Sequence, residues 1–334
     1  MIRRVLMSTI HDSHPQRGMR AAFDALFGAG NVQDFDYLDW VRRGNSPDAT
    51  SSAFERYAID VAPDWIWLQV QDSKVLRPDM LARVKEALPR CVMTHWNGDM
   101  RETVSEYAAA VSRVCDLTLL SSSGQVAAFH DAGAQCQYVQ IGLDWEEDVL
   151  GLPEWTPPFH VPDVVFIGNH YEGAFRQGTE ERLSALRTLR DAGVDVGVVG
   201  TGWPADIRTV GQCHVKQQHH VWKRAKVALN VNHFNHVEGY YSDRQLIAMA
   251  SGTPVVCYEV PGLRREFTDT VDCMMFRSND ELVRKTRWLL DRPESAVQIG
   301  AAGRAEVIRN HTWFTRILRL LPDVEQIQTQ RRPR

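Results

Sequence analysis

The residues best placed to do chemistry lie between positions 227 and 258, VALNVNHFNHVEGYYSDRQLIAMASGTPVVCY. Two apolar β-type runs, Val227–Val231 and Thr253–Tyr258, flank Arg244–Ala250, whose apolar residues recur at helical spacing, so the stretch reads as one βαβ unit. Gly239 lets the intervening loop turn sharply, and Ser242 has the chemistry of a helix N-cap. Amides near Tyr241, Ser242 and Asp243 are then expected to be unpaired at a positive helix terminus, which is a phosphate-binding arrangement.

Other chemistries are less well supported. GTGWPA at 200–205 fits a dinucleotide fingerprint by letter, but Pro204 opens no convincing helix and no well-placed acid follows about twenty positions on. The chain has no Walker motif and no G-x-S-x-G; Ser121-Ser122-Ser123-Gly124 reads as a strand-to-helix turn. His219/His220 and His233/His236 lack the i, i+4 spacing and carboxylate company of a zinc site, so no metal is expected. The six cysteines form no C-x-x-C pair and fall mostly in or beside apolar runs, which reads as reduced core thiols of a cytoplasmic protein.

These residues need a scaffold. Apolar runs recur at Val5–Met7, Val32–Tyr37, Trp65–Val70, Cys91–Thr94, Leu117–Leu120 and Gln137–Ile141. Helix-length amphipathic segments such as Met80–Leu88 and Arg101–Val114 lie between most of them, so a mainly parallel sheet covered on both faces is expected. GLPEWTPPFHVP at 151–162 has four prolines and no periodicity and reads as a linker. The alternation then restarts with strands at Asp163–Gly168 and Val194–Val199, helices at Thr179–Ala192 and Val221–Lys226, and the βαβ unit. Strand Cys273–Phe276 and helices Glu281–Leu290 and Ala296–Arg309 follow.

The expected organisation is α/β, with two Rossmann-like domains facing a central cleft. An acceptor-side domain spans 1–152, a linker 153–162 and a nucleotide-binding domain 163–310, and 311–334 holds a helix (Trp313–Leu321) returning across the cleft, then a tail. No stretch is apolar for long enough to be a signal or membrane segment. The net charge of −4 divides into −7 for residues 1–150 and +3 beyond, the latter owed to the terminal RRPR. An acidic first half disfavours a broad nucleic-acid footprint.

Loops after the strands then carry a resemblance. FIGNHYEG (166–173), VVGTGW (198–203), LNVNH (229–233), S-D-R-x-x-x-A-x-A-S-G-T-P-V-V (242–256), FRSNDELVRKTRWLLDRPE (276–294) and AAGRAEVIRNHTW (301–313) resemble GT-B glycosyltransferases, particularly the CgeB-like and group 1 branch. WNGD (96–99) and YVQIGLD (138–144) match more loosely. The resemblance implies transfer of a sugar from a nucleotide-sugar donor, UDP-linked by expectation, to a hydroxyl acceptor, without metal or other cofactor.

It also implies site residues. The diphosphate is expected at Gly239, Tyr240, Tyr241 and Ser242 with Arg244 or Arg176 as cationic help. Asn169 and Trp203 lie in matching loops, and Lys216 is expected at the edge of the base pocket. The family's ribose-binding glutamate is replaced here by Ile247, so Asp243 or Gln245 is expected to take that role. Glu238 resembles the other acid of the E-x7-E pattern, one residue out of register, and the retaining assignment loses its usual support. An inverting mechanism needs a base for the acceptor hydroxyl, for which Asp99 is first choice and His11 second; the bland reading of Asp99 is a helix N-cap. The acceptor itself is open: saccharide, lipid, protein, small molecule or hydroxymethylated DNA. Trp40, Trp65, Trp67 and Trp96 would stack a flipped base in the DNA variant. An inactive nucleotide-sugar-binding protein is the rival of another class.

Overall fold

Each apolar run that alternates with an amphipathic segment becomes a parallel strand, because a strand buried on both faces needs helices above and below it. The computed structural model describes residues 1–10, 16–145, 149, 153–171 and 176–331. It divides into unit 1, Met1–Ile141 with Trp313–Arg334, and unit 2, Gly142–Thr312.

Unit 1 runs β1 (Val5–Ser8), α1 (Arg17–Phe27), β2 (Val32–Asp34), α2 (Tyr37–Arg42), α3 (Pro47–Val61), β3 (Trp65–Leu68), α4 (Pro78–Ala87), β4 (Val92–Asn97), α5 (Glu106–Val114), β5 (Leu117–Leu120), α6 (Val126–Asp131) and β6 (Cys136–Tyr138). Its six parallel strands lie in the order β2-β1-β3-β4-β5-β6. Unit 2 runs β7 (Val164–Ile167), α7 (Arg176–Asp191), β8 (Val196–Val199), β9 (Thr209–Gly211), α8 (Gln218–Trp222), β10 (Val227–Asn230), α9 (Asp243–Ala250), β11 (Val255–Tyr258), β12 (Met274–Phe276), α10 (Asn279–Leu290) and α11 (Pro293–Asn310). Its six parallel strands are ordered β12-β11-β10-β7-β8-β9. Strand order reverses between β1 and β3 in unit 1 and between β7 and β10 in unit 2, and ligands of open α/β sheets sit outside the strand carboxyl ends at such points.

The last helix, α12 (Trp313–Gln330), belongs to unit 1. Its buried stripe of Trp313, Ile317, Leu320 and Val324 joins Met19 and Phe23 of α1 and the strand residues Trp65, Trp67 and Trp96 in one core. Trp313 meets Trp67 and Trp96 edge-on at 6.2 and 4.8 Å, and such pairs add about 0.5–1.5 kcal/mol each beyond burial. Trp65, Trp67 and Trp96 are therefore core residues, at most 2% exposed, and offer no platform to a flipped base.

Several boundaries differ from the sequence expectation for identifiable reasons. Val32–Tyr37 stops as a strand at Asp34 because Asp36 caps α2, its Oδ1 accepting from the Leu38 and Asp39 amides at 3.2 and 3.1 Å. The helix expected from Arg101 starts at Glu106, capped by Ser105, whose Oγ accepts from the Ala108 amide at 3.1 Å. Trp313–Leu321 extends through Pro322 to Gln330 because its apolar stripe continues. The edge strand β9 has no apolar run to announce it.

Charge also redistributes. With its C-terminal segment included, unit 1 carries 19 basic and 19 acidic residues, and unit 2 carries 19 and 23, or −4. The basic second half expected from the sequence is thus an acidic unit, so anion binding there must come from locally placed cations. All six cysteines are free and five are buried.

Candidate functional site

Unit 2 gathers three loops at the carboxyl ends of β7, β8 and β10. Asn169 Oδ1 accepts from the Thr201 amide at 2.9 Å, and the Trp203 indole N–H donates to the Gly168 carbonyl at 2.8 Å. The Trp203 ring lies against Phe166 and His170, at 5.6 and 5.4 Å. A side chain at Gly200 would collide with the Gly168 carbonyl, and one at Gly178 with the backbone of His233. Asn169 and Trp203, expected at the donor site, thus hold the loops after β7 and β8 together.

At the start of α9, Ser242 has the extended backbone of an N-cap (φ −87°, ψ 164°), but its hydroxyl makes no capping bond. Ser242 Oγ is buried without a partner. The Ser242 amide donates to Asn232 Oδ1 at 3.1 Å, the Arg244 amide to Asp243 Oδ1 at 2.9 Å, and the Gln245 amide to the Ser242 carbonyl at 3.0 Å. Of the amides expected to be open, that of Ser242 is thus already bonded to Asn232, and beside it stand the unsatisfied Ser242 hydroxyl and nearby guanidiniums.

The strongest of these cations escaped the sequence reading. Arg182, on α7, is 3% exposed. Its Nε donates to the Val231 carbonyl at 2.8 Å, its Nη1 to His233 Nε2 at 2.7 Å, and it sits 5.3 Å over the Phe166 ring. Among the described residues no carboxylate pairs with it. Burial, then repulsion from Arg244, pulls its pKa down to about 9, which leaves it a cation at neutral pH. Burial, then Arg182 and Arg244, pulls His233 to about 3, so the imidazole is neutral and its Nε2 accepts. A buried cation without a counter-charge among the described residues is costly. The sequence did hold a signal: Thr179, Arg182, Leu186 and Leu189 share the buried stripe of α7, and an arginine in an apolar phase is unusual.

The remaining donor-side residues fall into two groups. Tyr240 and Arg244 are partly exposed near Arg182, and Gly239 turns the loop at φ +71°. Asp243 is partly exposed at the first turn of α9. By contrast Tyr241 is buried with its hydroxyl donating to Glu266 at 3.1 Å, and Gln245 is fully buried, its Oε1 accepting from Asn230 at 2.7 Å and its Nε2 facing the Met249 sulfur. Gln245 thus faces the core, as does Ile247 at 1% exposure. Glu238 pairs with Arg265 at 2.7 Å. Lys216 sits in a single turn of 3₁₀ helix behind His214. The side chain of Arg176 and all of His11 lie outside the described residues. His219 is buried and held neutral, its pKa pulled by burial to about 4, and among the described residues no three His, Cys, Asp or Glu side chains group as metal ligands would.

Unit 1 has its own cavity of about 480 Å³, lined by Ile10 and Val70 beyond the ends of β1 and β3, by Leu38 of α2, and by Asp72, Asp99 and Arg101. Asp99 is not a helix cap, since Ser105 fills that role. It is partly exposed and pairs with Arg101 at 3.2 Å. Gly98 before it packs on the Trp96 ring so closely that a side chain would collide, and the Gly98 carbonyl accepts from Ser121 Oγ at 3.0 Å. Gln71 and Lys74 on the loop after β3 hold φ of +46° and +59°, a strain of about 1–3 kcal/mol each for residues with a side chain.

Comparison with known proteins agrees with this geometry. Residues 176–322 match the family described as Glycosyl transferase-like. No curated protein matches the chain by sequence. A glycosyltransferase from Rickettsia africae superposes with a TM-score of 0.65 at 9% identity, covering 97% of this chain and 98% of its own. HepE from Anabaena in complex with UDP-glucose gives 0.63 at 10% identity, covering 98% and 100%. Sucrose-phosphate synthase from Thermosynechococcus elongatus gives 0.58 at 15%, covering 98% and 100%. Two parallel-sheet units and these likenesses make the chain a GT-B fold protein with glycosyl transferase-like sequence over most of unit 2 and the first part of α12.

Proposed function

We propose that the chain transfers a sugar from a nucleotide-sugar donor, with the donor diphosphate on unit 2 and the acceptor hydroxyl on unit 1. The observation that carries this reading is Arg182, a buried guanidinium with no carboxylate partner among the described residues, beside Arg244 and the unsatisfied Ser242 hydroxyl at the start of α9. A departing nucleoside diphosphate gains negative charge, and fixed cations in a water-poor site stabilise that charge more than they stabilise the ground state. Arg182 and Arg244 supply charge of the sign a divalent metal supplies, which supports metal-independent transfer. Tyr240, Asp243 and the loop held by Asn169 and Trp203 surround this point and are the proposed donor contacts, with Lys216 nearer the base. Binding of UDP-glucose by HepE, of the same fold, supports a UDP-linked donor.

On the acceptor side Asp99 is the proposed base. It lines a cavity and pairs with Arg101, and a carboxylate is the kind of group that takes a proton from an acceptor hydroxyl. Ile247 faces the core, so the ribose needs a different partner, for which Asp243 is the better placed of the two expected residues.

The test is a panel of nucleotide sugars read by thermal stabilisation and by release of nucleoside diphosphate, with and without a chelator. One donor is expected to stabilise the chain and be slowly hydrolysed in both conditions. Stabilisation without release would instead make it a binding protein, and no stabilisation by any donor would remove the transferase reading.

A further inference from the structure

Helix α2 contributes Leu38 to the cavity holding Asp99, and Asp39 and Trp40 to a second cavity of about 410 Å³. Side chains one or two positions apart on a helix point to different sides, so the two openings flank α2 at about one helix diameter, ~10 Å. Nothing in the donor reading uses the second cavity.

Its chemistry is specific. Trp40 is 38% exposed and lies nearly parallel to Phe35, at 5.4 Å and 17°. Phe35 is buried and meets buried Phe54 edge-on at 5.3 Å, so the indole is fixed in orientation by the core beneath it. Four aspartates line this aromatic surface together with Arg43 and Arg56: Asp39 pairs with Arg42 at 3.2 Å and Arg43 at 2.5 Å, Asp34 pairs with Arg20, and Asp36 caps α2, which leaves Asp60 as the lining carboxylate that, among the described residues, has neither an ion pair nor a capping role. A cationic ligand therefore finds no uncompensated pair of carboxylates. An uncharged ring with one apolar face and a rim of hydroxyls finds a flat aromatic surface with hydrogen-bond acceptors and donors around it.

We propose that this cavity is a saccharide subsite, and that the acceptor is an oligosaccharide whose end enters the Asp99 cavity while a further ring lies on Trp40. The proposal rests on the reading of unit 1 as the acceptor side of a transferase. It narrows the acceptor class to uncharged sugar chains and gives Trp40 the role of a specificity residue remote from the reacting hydroxyl.

The experiment uses the full chain on an array of mono- to hexasaccharides, whose multivalent display retains weak binders. The wild type is expected to hold oligosaccharides. Trp40→Ala should lose about tenfold in apparent affinity, equivalent to about 1.4 kcal/mol, and Trp40→Phe should keep most of it; Trp40 is exposed enough for both to fold, which circular dichroism checks. No oligosaccharide held, equal binding by Trp40→Ala, or displacement by tetramethylammonium, the mark of a cation site, would each overturn the proposal. The same preparations are tested with the nucleotide-sugar panel. Donor hydrolysis without oligosaccharide binding overturns the subsite and leaves the transferase reading standing. Trp40-dependent oligosaccharide binding without donor stabilisation does the reverse.

Discussion

A buried arginine that no carboxylate accompanies among the described residues sets a conflict between stability and binding at one residue. Removing Arg182 as Arg182→Met relieves a desolvation cost of several kcal/mol and orphans the Val231 carbonyl and His233 Nε2 at about 1–3 kcal/mol each, so the two effects nearly cancel. The ligand-free variant is expected to stay within about 1–2 kcal/mol of wild type, a Tm shift of about 2–4 °C per kcal/mol, while losing stabilisation by nucleotide sugars. A variant that still responds to the donor would refute the role given to Arg182. Asp99→Asn keeps the shape but cannot accept a proton. Its turnover is expected to fall about 10²–10⁴-fold with donor-induced stabilisation unchanged, and steady-state kinetics at saturating donor check this. At this scale the sequence was readable only in part. Asp99 was found because its loop follows a strand, whereas Arg182 sits on a helix face whose partners, Val231 and His233, are about fifty residues away.

At the scale of elements, the proposed donor site depends on glycines that let one backbone approach another. Gly178 on α7 packs against the His233 backbone, where any side chain would collide. Gly178→Ala must push α7 and the loop after β10 apart, at about 1–3 kcal/mol, and is expected to weaken donor binding along with stability. Gly30→Ala has open space around it and should change neither; thermal shift with and without donor separates the two. Most strands were visible in the sequence because parallel strands buried on both faces are continuous apolar runs. Helix starts were less visible, since several residues compete as caps: Ser105 rather than a position near Asp99 begins α5, and Asp36 ends the strand expected to reach Tyr37. The face of α9 was not visible either, which is why Gln245 looked available although it lies inward.

For the whole molecule, each unit carries imidazoles that burial keeps neutral. Burial pulls the pKa of His95 in unit 1 to about 4, and in unit 2 burial pulls His219 to about 4 and His233 to about 3. Their unfolded value is about 6.5, so between 6.5 and 4 the unfolded chain binds protons that the folded one excludes. Stability is thus fully present above pH 6.5 and is lost as pH falls toward 4, by up to about 1.4 kcal/mol per pH unit for each histidine. Denaturant titrations between pH 7 and 4.5 should show this slope, and His95→Leu should reduce it for unit 1 only. An unchanged slope in that variant would exclude His95 as a source. The charge pattern was misread from the sequence for a topological reason: the basic C-terminal segment belongs to unit 1, not to the half of the chain that precedes it.

That topology also sets an order of events during synthesis. The chain leaves unit 1 after Ile141 and re-enters it at Trp313, and at this crossing Leu143 and Thr312 lie side by side, the Leu143 amide donating to the His311 carbonyl at 2.7 Å. As the polypeptide emerges, unit 2 is complete while unit 1 still lacks α12, so the tryptophans of β3 and β4 wait with their apolar faces uncovered until α12 has been made. Domains usually complete from the N-terminus; here the inner one finishes first. Nascent chains stalled with residues 1–312 outside the ribosome are expected to show protease-resistant unit 2 and protease-sensitive unit 1, with resistance of unit 1 appearing only once α12 has emerged.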